Sequence, residues 1–172
     1  MKSRTSDWFE TKIRYDKTQD DGSMKPVSEQ YVVDALSFTE AEKTLIEEMQ
    51  TYISGDFKIM GIKPAAYHEI FFSDQTSDDK WYRAKLQFIT IDEKTEKEKR
   101  SNVVYLVQAS SLPVAVKHIE EVMGGTMIDY VISSVTETVI MDVFEHNLNP
   151  GKTKAAEKED KPEYEREAEK EA

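Results

Sequence analysis

Tyr31-Val32-Val33-Asp34-Ala35-Leu36-Ser37-Phe38-Thr39-Glu40-Ala41-Glu42-Lys43-Thr44-Leu45-Ile46-Glu47-Glu48-Met49 recurs in altered form at residues 105–123. The two stretches agree at Tyr31/Tyr105, Val33/Val107, Ala35/Ala109, Ser37/Ser111, Ala41/Ala115, Lys43/Lys117, Glu47/Glu121 and Met49/Met123, which is 8 identities in 19 positions. Unrelated sequence would give about one. The flanks follow suit: Trp8-Phe9 with Lys12, Ile13 and Tyr15 returns as Trp81-Tyr82 with Lys85, Leu86 and Phe88, and residues 57–71 lie over 130–144. The chain therefore reads as an internal duplication of a unit of roughly 70 residues. Repeat one covers 8–72, a polar linker 73–80 and repeat two 81–146; a flexible N-terminus, 1–7, precedes them and a disordered charged tail, 147–172, follows. One such unit buries only about 60% of its unfolded surface and is marginal alone. The two copies are expected to share one core as a single domain.

Local pattern supplies the elements. Residues 8–15 alternate, with Phe9, Thr11, Ile13 and Tyr15 on one face and Trp8, Glu10, Lys12 and Arg14 on the other, the period of a half-buried strand. Turn chemistry over 16–24, with Asp20-Asp21-Gly22 inside, leads to a second strand at 27–36 and hence to a hairpin. Ser37 and Glu40 form a capping box in which the serine oxygen accepts from the N–H three residues on and the glutamate reaches back to the N–H of the cap. Ala41, Leu45 and Met49, with Phe38, Ile46 and Ile53, then recur at helical spacing. A third strand is expected at 57–62. Pro64 interrupts pairing or moves it to an edge, and 67–72 resumes it.

Repeat two reads as strand 81–91, a charged loop 92–100, strand 103–109 and a helix from Ser111 with Pro113 in its first turn. Leu112, Ala115, Val116, Ile119, Val122 and Met123 face the core, and Gly124-Gly125 stops the helix. Over 130–144 the apolar alternation changes phase between Val135 and Val139, which predicts a bulge or bend there. The offset between copies is 73 in the first strand, 74 across the second strand and helix, and 73 in the third. Length differences thus fall in loops, which absorb them. The fold class expected is α+β: a duplicated β-β-α-β(β) unit with a pseudo-two-fold, mainly antiparallel sheet and two helices packed against it.

Charge and composition narrow the functional classes. The chain has 23 basic and 34 acidic residues, a net of −11, and the segment from Gly151 onward accounts for only −2 of it. A body of −9 repels free duplex nucleic acid unless a local basic face overrides the mean field. The absence of cysteine excludes disulfides, thiolate metal sites and thiol nucleophiles. No apolar run approaches the ~20 residues that span a bilayer, and no apolar signal core opens the chain; a cytoplasmic protein without membrane contact is expected.

Catalytic signatures are missing. His68, His118 and His146 are the only histidines and none has metal-ligand spacing. His118 reads as a surface or boundary helix residue, and Ser37 and Ser111 as helix caps. The acidic run Asp16 to Gly22 places its glycine one position late for a calcium loop, and Val27 stands where the closing glutamate belongs. Glu69 and Asp142 are a matched carboxylate pair that reads as a solvated face. No enzyme, cofactor or metal is expected. The one candidate binding face is the strand face of Trp8, Lys12 and Arg14 in the first copy and Trp81, Arg83 and Lys85 in the second. Exposed rings beside cations stack bases or clamp an acidic partner, each copy giving half of a symmetric site. The opposing reading covers that face with the other copy.

In whole motifs the chain resembles an uncharacterised domain family of Bacteroidota and of their phages and mobile elements. The resemblance rests on Trp8-Phe9-Glu10-x-Lys12-Ile13-x-Tyr15, on Tyr31-x-Val33-Asp34-Ala35-Leu36-Ser37-Phe38-Thr39-Glu40-Ala41-Glu42, and on Lys80-Trp81-Tyr82-x-x-Lys85 with Phe88-Ile89-Thr90-Ile91-Asp92-Glu93-Lys94. It continues through Leu106-Val107-Gln108-Ala109 and Gly125-Thr126-Met127-x-Asp129-Tyr130 and covers 8–145. It implies a bacterial or phage setting and a cytoplasmic location, and no activity. The function expected is that of a non-catalytic acidic binding or accessory protein acting through a protein partner. The alternatives are single-stranded nucleic-acid binding by the Trp/Lys/Arg face, and small-ligand binding in the cleft between repeats.

Overall fold

The computed structural model describes residues 2–4 and 7–145, and the tail expected to be disordered lies outside them. Among the described residues are nine strands and two helices: β1 (Lys2–Arg4), β2 (Trp8–Thr18), β3 (Met24–Asp34), α1 (Phe38–Tyr52), β4 (Phe57–Ala65), β5 (Glu69–Phe72), β6 (Lys80–Ile91), β7 (Glu98–Ala109), α2 (Leu112–Gly124), β8 (Asp129–Glu137) and β9 (Ile140–Phe144). They form two mostly antiparallel sheets, the first in the order β4-β2-β3-β9 and the second β1-β5-β7-β6-β8. The protein is α+β.

The hairpins are longer than the apolar alternation alone indicates. β2 and β3 pair from Trp8↔Asp34 out to Thr18↔Met24, and the turn closes with Gln19 N–H donating to the Ser23 carbonyl at 2.7 Å. Gly22 has φ +83°, the left-handed conformation that glycine adopts without strain, so the acidic run is a hairpin turn. The Ser37 Oγ accepts from Glu40 N–H at 3.2 Å. The Glu40 carboxylate, however, reaches Leu36 N–H at 2.9 Å, one residue before the cap expected. In α2 the Ser111 side chain makes no capping bond, and Pro113 sits in the first turn instead.

Each helix covers the outer face of one sheet. Ala41, Leu45 and Met49 of α1 pack on Phe9, Ile13, Tyr31 and Val33 of the first sheet; Ala115, Ile119 and Met123 of α2 pack on Tyr82, Ala84, Leu86, Tyr105 and Val107 of the second. Between the sheets lies a third apolar cluster of Trp8, Val32, Tyr67, Ile70, Trp81, Leu106, Ile140 and Val143. The order is helix, sheet, sheet, helix.

The halves are joined by exchange. β5, from the first half, runs parallel to β7 with Glu69↔Tyr105, Ile70↔Leu106 and Phe71↔Val107. β9, from the second half, runs parallel to β3 with Tyr31↔Asp142, Val32↔Val143 and Val33↔Phe144. These registers match residue for residue under the sequence offsets of 73 and 74. The hairpins alone gave no hint of these parallel pairs. The bulges also match: β4 gains a residue at Met60, between Ile59↔Ile13 and Gly61↔Lys12, and β8 at Ser133, between Ile132↔Leu86 and Ser134↔Lys85. The bulge expected between Val135 and Val139 lies earlier, at Ser133, and the interval itself holds the passage from β8 to β9. Pro64 lies inside β4, opposite Phe9, on an edge strand where its missing N–H is tolerated.

The segment read as a polar linker is anchored. Asp78 is 4% exposed. Its carboxylate accepts from Ser73 Oγ and lies 3.6 Å from His118 Nε2, while His118 Nδ1 meets the Gln108 carbonyl at 3.1 Å. Ser73 N–H donates to Gln108 Oε1 at 3.0 Å. The carboxylate stands between serine and histidine, so the histidine does not contact the hydroxyl as a nucleophile's base must. The network ties 73–78 to β7 and α2. Asp78→Ala strands two half-buried polar partners, and urea unfolding is expected to show a loss of about 1 kcal/mol; an unchanged midpoint would mean the network is dispensable.

Candidate functional site

Strand alternation carries Trp8, Glu10, Lys12 and Arg14 along the inner face of the first sheet and Trp81, Arg83 and Lys85 along that of the second. The two tryptophans are each 2% exposed, in the cluster between the sheets. Of the two readings of this face, the rings follow the covered one and not the open aromatic stripe: the other sheet lies over them, with β5 and β9 joining the two sheets. Phe72 packs edge-on to Trp81 at 5.6 Å and tilted on Trp8 at 6.4 Å. The Trp8 indole N–H has no hydrogen-bond partner among the described residues. The rings are unavailable for stacking on bases.

Just beyond the rings the inner face turns polar. Tyr67 Oη donates to Glu10 Oε1 at 2.5 Å. Arg83 donates from the second sheet to the same oxygen at 2.8 Å and to Tyr67 Oη at 3.1 Å, with its guanidinium 5.8 Å from the Tyr67 ring centre. Lys63 Nζ lies 3.2 Å from Glu10 Oε2. Burial raises the Glu10 pKa, but hydrogen bonds from Tyr67 and Lys63 and the charges of Arg83 and Lys63 outweigh it and hold the carboxyl below its ordinary value. Burial first, and then Glu10, push Tyr67 up to about 12 against the influence of Arg83. A carboxylate engaged by two cations is a weak base and a tyrosine so raised stays protonated. The cluster ties β2, β4 and β6 to Tyr67 across the two sheets.

Further along, Lys12, Arg14 and Lys85 are exposed and have no ion pair among the described residues. β4 adds cations that sequence reasoning missed: Lys63 lies opposite Glu10 and Lys58 opposite Arg14. The bulge residue Met60, 53% exposed, stands between two open depressions. One, of about 270 Å³, is lined by Glu10, Lys12, Gln30, Gly61 and Lys63; the other, of about 380 Å³, by Arg14, Tyr15, Asp16, Asp56 and Lys58. Gly61 inside a strand pattern was the available signal for this bulge. The face is not symmetric, since Val131 and Thr136 stand where Lys58 and Lys63 do.

The remaining candidates separate. Glu69 and Asp142 lie in different sheets, each paired with the tyrosine of the strand it joins. His68 packs edge-on to Phe88 and Tyr105, His118 belongs to the Asp78 network, and His146 is outside the described residues. Among the described residues no group of His, Asp and Glu could hold a metal ion, and no helix is long and apolar enough to cross a membrane.

Fold and site together define a two-sheet α+β protein whose inner strand face ends in an exposed row of cations beside a bulge. The chain belongs to the family described as a domain of unknown function (DUF4494), whose model matches residues 7–146. No curated protein and no solved structure matches it.

Two outcomes follow from the geometry. Tryptophan emission should be blue-shifted and resistant to iodide in the folded chain; ready quenching would contradict the buried rings. Glu10 has its folded pKa lowered from 4.5, so its stabilising contribution is present above that value and lost as pH falls through the folded one. Glu10→Gln should therefore lower stability at neutral pH, by about 1 kcal/mol, with the difference shrinking as the unmodified carboxyl protonates. A pH-independent difference in denaturant midpoints would contradict this.

Proposed function

We propose that the protein is a non-catalytic binding module whose cationic strand face receives an acidic segment of a protein partner. One observation carries this reading: in a chain of net charge −11, Lys12, Arg14, Lys58 and Lys63 on the inner face of the first sheet and Arg83 and Lys85 on that of the second have Glu10 as the only carboxylate among their ladder partners, with Asp16 and Asp56 at the outer end of the row beside Arg14 and Lys58. Arg14 and Lys58 are directly opposed, an arrangement that costs a few tenths of a kcal/mol and that an incoming carboxylate relieves. Met60 and the depressions beside it give an apolar anchor at the centre of the row. The buried tryptophans weigh against single-stranded nucleic acid, which uses stacking platforms. The matched bulges and reciprocal registers support reading the halves as copies of one unit, and the motif resemblance supports a bacterial or phage origin and a cytoplasmic setting.

The test is fluorescence anisotropy with a labelled glutamate-rich peptide carrying one leucine. Binding that weakens with salt and falls about tenfold or more in Arg14→Glu/Lys58→Glu, with the fold intact by circular dichroism, is the expected result. Binding of oligothymidylate in place of the peptide would transfer the face to nucleic acid. Failure of both at low salt would remove the reading.

A further inference from the structure

The depressions beside Met60 lie along the outer edge of β4, and that edge has two unlike faces. β4 pairs with β2 and ends the first sheet among the described residues. Residues directly opposite in a ladder share a face. Lys58 and Lys63, opposite Arg14 and Glu10, are therefore on the inner face, and Phe57, Ile59 and Ile62, opposite Tyr15, Ile13 and Thr11, on the outer one. In a regular strand, residues an odd number apart point to opposite faces. The extra residue at Met60 is what brings both lysines to the same side.

On the outer side a third open depression, of about 570 Å³, runs between α1 and β4, lined by Ile46, Phe57, Ile59 and Met60 with Glu42 and Lys58 at its polar parts. Helix α1 buries Ala41, Leu45 and Met49, but Ile46 and the row Phe57, Ile59 and Ile62 nearest the edge are only half-buried. The second half lacks this combination. Glu120 stands where Ile46 does, and Val131 and Thr136 where the lysines do. Lysines, bulges and proline keep edge strands from pairing with their own kind, and β4 has all three in Lys58 and Lys63, the bulge at Met60, and Pro64. A second β4 would set lysine against lysine. A strand with carboxylates on one face meets no such barrier.

We propose that the edge of β4 pairs with an extended segment of a partner in which carboxylates alternate with apolar residues. Its carboxylates fall beside Lys58 and Lys63 on the inner face, and its apolar side chains enter the groove between α1 and β4 on the outer face. This rests on the acidic-segment reading above and fixes how the segment lies: as a fifth strand of the first sheet, bonded through its main chain to residues 57–63.

The experiment is fluorescence anisotropy on the full chain with a short labelled peptide alternating glutamate and valine, either unmodified or N-methylated at its glutamates or at its valines. Successive N–H groups of a strand point to opposite sides, so one methylated form loses its bonds to β4 and the other keeps them. Affinity is expected to fall at least about tenfold in one methylated form and to stay within about twofold in the other. Ile46→Glu, which installs the residue of the second half, should weaken the unmodified peptide about fivefold or more with circular dichroism unchanged. Equal affinity of the two methylated forms, with salt-sensitive binding of the unmodified one, overturns the added strand and leaves the cationic face standing. So does failure of the alternating peptide where the glutamate-rich peptide with one leucine binds. If neither peptide binds, both readings fall. Sedimentation of the peptide-free chain as a dimer or longer series that Lys58→Glu disperses also overturns the proposal, by assigning the edge to a second copy.

Discussion

Reciprocal strand exchange is the constraint on which the other features depend. Parallel neighbours cannot be joined by a tight turn, so β5 and β9 reach their places only by leaving the sheet in which their half began. The passages are short and tied down. His68 N–H donates to the Val104 carbonyl at 2.7 Å, and Thr138 N–H to the Trp81 carbonyl at 2.9 Å. Each sheet therefore lacks a strand unless the other half is present. This answers the marginal stability of a lone unit of this size: the halves share strands as well as a core.

Exchange also decides what the inner faces must be. With Ile70 and Val143 drawn between the sheets, the positions of Trp8 in β2 and Trp81 in β6 are buried, and tryptophan supplies apolar volume at both. Two places further along, the equivalent residues face each other across the interface. Identical charged side chains there would repel; the chain instead has Glu10 and Arg83, 2.8 Å apart. The correspondence of the halves is kept where the contact is apolar and lost at Glu10 and Arg83, where identical charges would oppose each other.

Much of this was legible in the sequence, because hairpins and amphipathic helices write themselves in local period. The S-x-x-E cap, the stripe Ala41-Leu45-Met49 and the alternation of residues 8–15 all predict what the structure has. Strand exchange leaves no local period: Ile70-Phe71 and Val143-Phe144 read as apolar pairs whether they join their own sheet or the other. The same ambiguity made Trp8 and Trp81 legible as surface or core with equal local logic, and only the tertiary pairing selects core. Asp78 was illegible for a related reason, since a polar linker and a buried polar network have the same composition until Gln108 and His118 are brought beside it. Of the candidate face, the cations Lys12, Arg14 and Lys85 were readable as exposed, while Lys58 and Lys63 become part of it only through the pairing of β4 with β2.

The cationic row persists in an acidic molecule because the charges of the first half are segregated by layer. Helix α1 carries Glu40, Glu42, Glu47 and Glu48 against Lys43, on the outer side of the first sheet. Lys12, Arg14, Lys58 and Lys63 lie on its inner side. Opposite faces of a packed layer are separated by about 10 Å, more than a Debye length of roughly 8 Å at physiological ionic strength. The helix carboxylates thus add mainly to the net charge that a distant molecule meets, although Glu42 reaches a depression that Lys58 and Met60 also line. In the second half the matching edge strand has Val131 and Thr136 in place of the two lysines. On the proposed function, an anionic segment would meet net repulsion from most directions and attraction along this strand face, a contrast that would orient the encounter before any contact forms.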